Sequence, residues 1–100
     1  MLIIAGHAEV DPDDRDEAVA VMRDPVTRAC EAPGCLDVAI TADSVDPTRI
    51  DNSERWESQQ ALDTARSNGP GFEQGGAMLT VSVAEYDIAD VRPCSGTIRH

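Results

Sequence analysis

A single α+β domain with the element order β-α-β-β-α-β is what this 100-residue sequence predicts. Three observations carry the prediction. Four segments alternate their side chains with the period of two that a strand imposes. Two segments repeat apolar residues every three or four positions, as one face of a helix does. Clusters of Pro, Gly and Asp fall between them, where the chain has to turn.

Leu2 to Val10 is the first strand, with Leu2, Ile4, Gly6, Ala8 and Val10 on an apolar face suited to meet helices. Its other face, Ile3, Ala5, His7 and Glu9, becomes polar toward the end. Asp11-Pro12-Asp13-Asp14 breaks the strand and supplies N-cap and first-turn carboxylates that complement a helix dipole. The helix that follows to about Ala32 carries the stripe Ala18, Met22, Val26 and Ala29. Pro25 lies inside it, removes a backbone donor and collides with the carbonyl of Val21, so a kink or break is expected there. Pro33-Gly34 ends the helix.

Cys35 to Ala42 is the second strand, with Leu36, Val38 and Ile40 alternating against Cys35, Asp37, Ala39 and Thr41. Asp43 to Thr48 is a turn containing Asp46-Pro47, and Arg49 to Trp56 is the third strand. Ser58 is the expected N-cap of a second helix with the stripe Ala61, Leu62 and Ala65, stopped by Asn68-Gly69-Pro70. Gly69 to Gly76 holds four of the seven glycines and reads as a mobile loop. Met78 to Val91 is the last strand, bent near Tyr86 to Ile88, and residues 93–100 are a tail beyond a domain of residues 1–92.

Composition narrows the function. The chain carries 12 Asp and 7 Glu against 8 Arg and no Lys, a net charge of −11. That balance repels nucleic acid and anionic membrane surfaces. The apolar runs, Leu2 to Ala5 among them, are too short for a membrane span or a signal sequence, so a cytoplasmic protein is expected. Cys30, Cys35 and Cys94, odd in number and without a CxxC pair, fit reduced thiols. No P-loop, dinucleotide fingerprint or metal-ligand spacing is present, and no cofactor is expected. The cluster Asp11, Asp13, Asp14 and Asp16 lacks the Gly and final Glu of a calcium loop and reads as helix-start charge.

The order of elements is the ferredoxin-like split-βαβ pattern with an antiparallel sheet. Both helices go to one sheet face. Nothing in the chain covers the other, so a second copy is expected to close it as a dimeric α/β barrel, a homodimer with a cavity in each half. The third strand, Arg49-Ile50-Asp51-Asn52-Ser53-Glu54-Arg55-Trp56, then becomes the candidate cavity wall. Ile50, Asn52, Glu54 and Trp56 share one face, and an amide, a carboxylate and an indole suit a pocket for a polar aromatic ligand better than a dry core. A plainer reading has Trp56 plugging the corner between sheet and helix, with Asn52 and Glu54 in water. His7 and Glu9 are expected on the same cavity wall.

Five pieces of the chain in order resemble the antibiotic biosynthesis monooxygenase family: Leu2-Ile3-Ile4-Ala5-Gly6, Pro33-Gly34-Cys35-Leu36, Asp46-Pro47-Thr48-Arg49, Glu54-Arg55-Trp56-Glu57-Ser58 and Tyr86-Asp87-Ile88. The resemblance runs from residue 1 to about residue 92. It implies a homodimeric α+β barrel and, in part of the family, cofactor-independent oxidation of phenols or hydroquinones to quinones with O2. Such oxygenases use an Asn and a Trp four residues apart on the third strand, which Asn52 and Trp56 match. The amide would hold the phenol oxygen while the indole stacks on the ring and excludes water. These oxygenases also use a basic residue from the fourth strand. Here Gly76 to Thr80 offers none, and His7 is the substitute base. Glu54, Ile50, Glu9, Ile3 and Phe72 are expected to line the substrate. Haem-degrading relatives use a His and a Trp of the second helix region, and this sequence has neither there. The alternative to an enzyme is a non-catalytic dimeric barrel that binds a small aromatic ligand.

Overall fold

The computed structural model of the protein describes residues 1–67 and 78–94. Its order is β1 (Leu2–Val10), α1 (Arg15–Val21), α2 (Arg23–Glu31), β2 (Cys35–Ala42), β3 (Arg49–Trp56), α3 (Gln59–Ser67) and β4 (Met78–Asp87). The strands form one antiparallel sheet in the order β2-β3-β1-β4, the ferredoxin-like arrangement the sequence predicts.

The break near Pro25 falls at Met22, which ends α1 and begins α2. This position costs Pro25 nothing. It sits in the first turn of α2, where backbone N–H groups have no partner inside the helix anyway. The first helical bond, Val26 N–H to Met22 O at 2.9 Å, forms just beyond it. Ala18 and Met22 are buried, and Val26 and Ala29 pack on the core, so the apolar stripe survives the break. Asp14 caps α1 without a side-chain bond, contrary to the expected carboxylate cap. Asp11 instead accepts the Asp13 N–H at 2.9 Å within the preceding turn. At α3 the Ser58 hydroxyl does accept the Ala61 N–H, at 3.1 Å.

Burial follows strand phase. Leu2, Ile4, Val38 and Trp56 pack with Leu62 beneath α2 and α3, and Val10 and Ile50 pack with Ala18 beneath α1. Two strands depart from the expected alternation. A bulge between Cys35 and Asp37 brings Cys35 onto the core side against Trp56 and leaves Leu36 exposed. The extra residue at a bulge reverses the phase of what precedes it. β4 ends at Asp87 rather than Val91. Leu2 pairs with Asp87, and the Ile88 N–H reaches Met1 O at 2.8 Å just beyond the ladder. The chain stop expected at 68–70, the glycine-rich loop at 69–76 and the end of the tail lie outside the described residues.

The β2–β3 turn is tied to α1. The Arg15 guanidinium donates to Asp43 O at 3.2 Å and Asp46 O at 2.8 Å. Asp43 accepts the N–H groups of Val45 and Asp46, while Asp46 accepts the N–H and hydroxyl of Thr48. The Asp46 N–H above all, then Asp51 and the Val45 N–H, lower the Asp43 carboxyl from an ordinary 3.8 to about 2. Because the folded-state value lies below the unfolded one, this contribution is complete above about pH 4 and is lost as pH falls toward 2. Asp43→Asn should therefore be less stable than the parent at neutral pH, with the two stability-versus-pH curves converging in acid. Curves that stay parallel down to pH 2 would show that the turn carboxylate contributes nothing.

Candidate functional site

Register decides which candidate residues share a face. Residues directly opposite in an antiparallel ladder project to the same side. Leu2 pairs with Trp56, Ile4 with Glu54, Gly6 with Asn52 and Ala8 with Ile50. The polar residues of β3 therefore stand on the helix side of the sheet, in phase with the apolar face of β1. His7 pairs with Asp51 and Ser82, Ile3 with Arg55 and Tyr86, and Glu9 with Arg49 and Thr80. The expectation of one cavity wall holding His7, Glu9 and Ile3 together with Asn52 is corrected: the three lie on the opposite face. His7 cannot reach a ligand held by Asn52 without crossing the sheet. Phe72 lies outside the described residues.

On the helix side, Ile50, Glu54 and Trp56 are buried, Trp56 to 1% exposure and Glu54 to 4%. Trp56 fills the corner between sheet and helices, as the plainer reading had it, and its ring is covered by the protein's own core. Glu54 does not face water. Its Oε1 accepts the Trp56 Nε1–H at 3.1 Å and its Oε2 accepts the Asn52 Nδ2–H at a long 3.5 Å. A buried carboxyl is costly unless its oxygens are satisfied, and the two β3 neighbours satisfy them. Both oxygens are thus engaged within the strand, so Glu54 is placed to hold its neighbours rather than to touch a ligand.

The Asn52 Oδ1 is different. It is buried, and among the described residues no donor reaches it. The network fixes which end of this amide faces Glu54, because turning it would set Oδ1 against a carboxyl oxygen. Asn52 stands on a row of the sheet that runs Ile40, Asn52, Gly6, Val83. At Gly6 a Cβ would lie 2.1 Å from Ser82 O and 2.7 Å from Val83 Cα, so the missing side chain is what lets the β4 backbone approach the row. The helices cover β2, β3 and β1, but on the same side Val81 and Val83 of β4 remain 59% and 43% exposed. The result is an apolar shelf on β4, separated from the Asn52 amide only by Gly6 of β1 on the same row. The sequence reading missed Gly6 and Val83. The period-two alternation of Val81 and Val83 was the available signal, but the register that sets them beside Asn52 was not.

Charge on this face comes from α3. Arg66 donates to Glu85 at 3.2 Å, and Glu85 flanks Ile4 on the row that also holds Glu54. A guanidinium therefore reaches the helix side of β4 from α3, although Thr80, Leu79 and Met78 supply no base. A second recess, between Leu2, Glu57, Gln59, Glu85 and Asp87, is carboxylate-rich and opens at the far end of the sheet from Asn52. Among the described residues no cluster of three or more His, Cys, Asp or Glu is arranged to hold a metal. Among the described residues no helix is long and apolar enough to cross a membrane.

The chain is thus a small α+β protein with a ferredoxin-like sheet, whose third strand carries an amide, a carboxyl and an indole at alternate positions. The chain belongs to the antibiotic biosynthesis monooxygenase family, whose profile matches residues 1–75. Solved structures agree on the fold. One from Deinococcus radiodurans, described as a candidate antibiotic biosynthesis monooxygenase, superposes with a TM-score of 0.82 at 17% identity, covering 96% of this chain and 100% of its own. A protein of the same description from Nitrosomonas europaea gives 0.77 at 16% identity over 90% and 100%. Another from Chloroflexus aurantiacus gives 0.71 at 21% over 92% and 96%. No curated protein matches the sequence.

Proposed function

We propose that the protein is a cofactor-independent monooxygenase that oxidises a phenolic or hydroquinone substrate to a quinone on the helix side of its sheet. The carrying observation is the buried, unpaired Asn52 Oδ1 beside the exposed valines of β4. An aromatic ring laid on Val81 and Val83 gains from leaving water, and its hydroxyl donates to Asn52. Drawing on that O–H raises electron density in the ring, which then passes electrons to O2 directly. The stoichiometry closes with one O2 per ring: a phenol gives a quinone and one water, and a hydroquinone gives a hydroxyquinone and one water. One oxygen atom ends on the ring carbon that loses its hydrogen, and the other leaves as water with that hydrogen and the hydroxyl proton. Trp56 contributes by holding Glu54 and closing the back of the site, not by stacking. Family membership supports the oxygenase class.

A homodimer is part of the same reading. The helix-free face carries Ile3 and Ala5 half-buried on β1 and Tyr86 exposed on the neighbouring edge strand, and a second copy would cover them. Three free cysteines suit a reducing, cytoplasmic setting.

The test is O2 uptake by metal-free protein offered anthrone-type and hydroquinone substrates, with Asn52→Ala beside the parent. Turnover that drops by roughly 10- to 100-fold in the variant supports the reading, in line with losing one positioned hydrogen bond. Uptake that the variant leaves unchanged would sink it. Saturable binding without uptake would favour the alternative, a non-catalytic barrel for a small aromatic ligand. One observation favours that alternative: His7, the expected base, lies across the sheet from Asn52.

A further inference from the structure

We infer that Glu54 is a positioning residue that sets the hydrogen-bond polarity of the site, so that it selects ligands presenting an O–H or N–H donor and discriminates against ligands that offer only acceptors. The inference rests on the reading that Asn52 faces the ligand. It does not require that the ligand be oxidised.

The chemistry follows from three neighbouring side chains. The indole of Trp56 can only donate, and its Nε1–H takes one carboxyl oxygen of Glu54 at 3.1 Å. The remaining oxygen accepts from the Asn52 NH2, at a long 3.5 Å, as both oxygens of a carboxylate do. That leaves Oδ1 as the other end of the amide, and it is the buried side-chain N or O atom without a partner among the described residues. A buried acceptor left unpaired is unfavourable, so a ligand bringing a hydroxyl gains twice: its own O–H is satisfied and so is Oδ1. A methyl ether or a carbonyl of the same shape sets oxygen against oxygen. A donor and acceptor chain of fixed sense thus runs from the core indole through the carboxyl and the amide to the ligand. A quinone carries no O–H, so the orientation that holds a phenol also favours release of the oxidised ring.

Changing the sense of the chain at its middle member is expected to change it at the end. In Glu54→Gln the indole still requires the single acceptor of the new amide, which turns its NH2 toward Asn52. Asn52 then rotates to offer Oδ1 to that NH2 and presents its own NH2 to the ligand. The substitution is isosteric, so the shape of the site is kept while its polarity inverts.

The experiment is titration calorimetry under anaerobic conditions with 1,4-dihydroxynaphthalene, 1,4-dimethoxynaphthalene and 1,4-naphthoquinone. The parent is expected to bind the dihydroxy compound about tenfold or more tightly than the other two, the difference one hydrogen bond makes. Glu54→Gln should reverse the order, and Asn52→Leu should abolish the preference. A purely structural role for Glu54 would weaken all three ligands together. Equal binding of the three by the parent, or an order unchanged in Glu54→Gln, would overturn the inference. If Glu54→Gln does not fold, Glu54→Leu takes its place: without the carboxyl the amide is no longer oriented and the preference should fall toward parity, and a preference kept in full there, or one that survives Asn52→Leu, would overturn the inference. A donor preference without O2 uptake would retain the inference and remove the oxygenase reading. Uptake without the preference would do the reverse.

Discussion

Trp56→Ala is expected to lower the unfolding free energy by about 3–5 kcal/mol, the range for deleting a large aromatic side chain from a packed core. Trp56 is 1% exposed and packs with Leu2, Ile4, Val38 and Leu62, with Val26, Ala29 and Cys35 at the margin of the same cluster. Few other groups can compensate, since the chain has three aromatic residues in all. A loss of this size is a large part of the roughly 5–15 kcal/mol that holds a domain folded, and should lower the melting temperature by roughly 15 °C or more. A second effect comes with it. Without the indole N–H, Glu54 keeps a buried oxygen with no donor, which alone costs about 1–3 kcal/mol. Trp56→Phe separates the two, because it keeps most of the packing and loses only the hydrogen bond. Chemical denaturation of both variants is the measurement. A change below about 1 kcal/mol for Trp56→Ala would place the indole outside the core.

The second large effect is expected at Gly6, where substitution by Ala opposes two rules. Intrinsic preference favours Ala over Gly inside a strand by about 0.5–1 kcal/mol. Sterics oppose it, since the new Cβ would meet Ser82 O at 2.1 Å and Val83 Cα at 2.7 Å. Those are backbone atoms that cannot rotate away, so relief requires β4 to move off β1. Overpacking of this kind costs about 1–3 kcal/mol and outweighs the preference. Gly6→Ala should therefore be destabilising, with faster backbone hydrogen exchange concentrated in β4 and little changed in β2. A stabilised variant, or exchange raised evenly through the sheet, would contradict the close approach.

The contrast between these positions shows what the sequence could reveal. The bounds of β3 were legible from local pattern, because alternation, the Asp46-Pro47 turn and the Ser58 cap each act within a few residues. The break before Pro25 was legible for the same reason. Which residues face a common cavity was not. His7 and Asn52 both stand on polar stretches of their strands, and only the pairing of β1 with β3 sets them back to back. The phase of β3 contained a hint, since Ile50 and Trp56 share the parity of Asn52 and Glu54 and both belong in a core. The polar pair was read as facing the side of the sheet that the helices leave bare. It stands instead on the helix side, where Glu54 finds its donors on its own strand. The bulge after Cys35 was equally hidden, since nothing in Cys35-Leu36-Asp37 marks a change of phase.

The position of β1 has a consequence for how the chain reaches this structure. The earliest strand occupies the inside of the sheet, and both of its neighbours, β3 and β4, come from much later in the sequence. Leu2 finds its partners at Trp56 and Asp87, so no hairpin can shelter it locally. Closing such long stretches of chain costs entropy before any ladder bond returns it, which places folding on the slow side for a domain of this length. Until β3 arrives, Leu2-Ile3-Ile4-Ala5 is an unpaired apolar strand with two bare edges, and it is the segment for which chaperones and aggregation would compete.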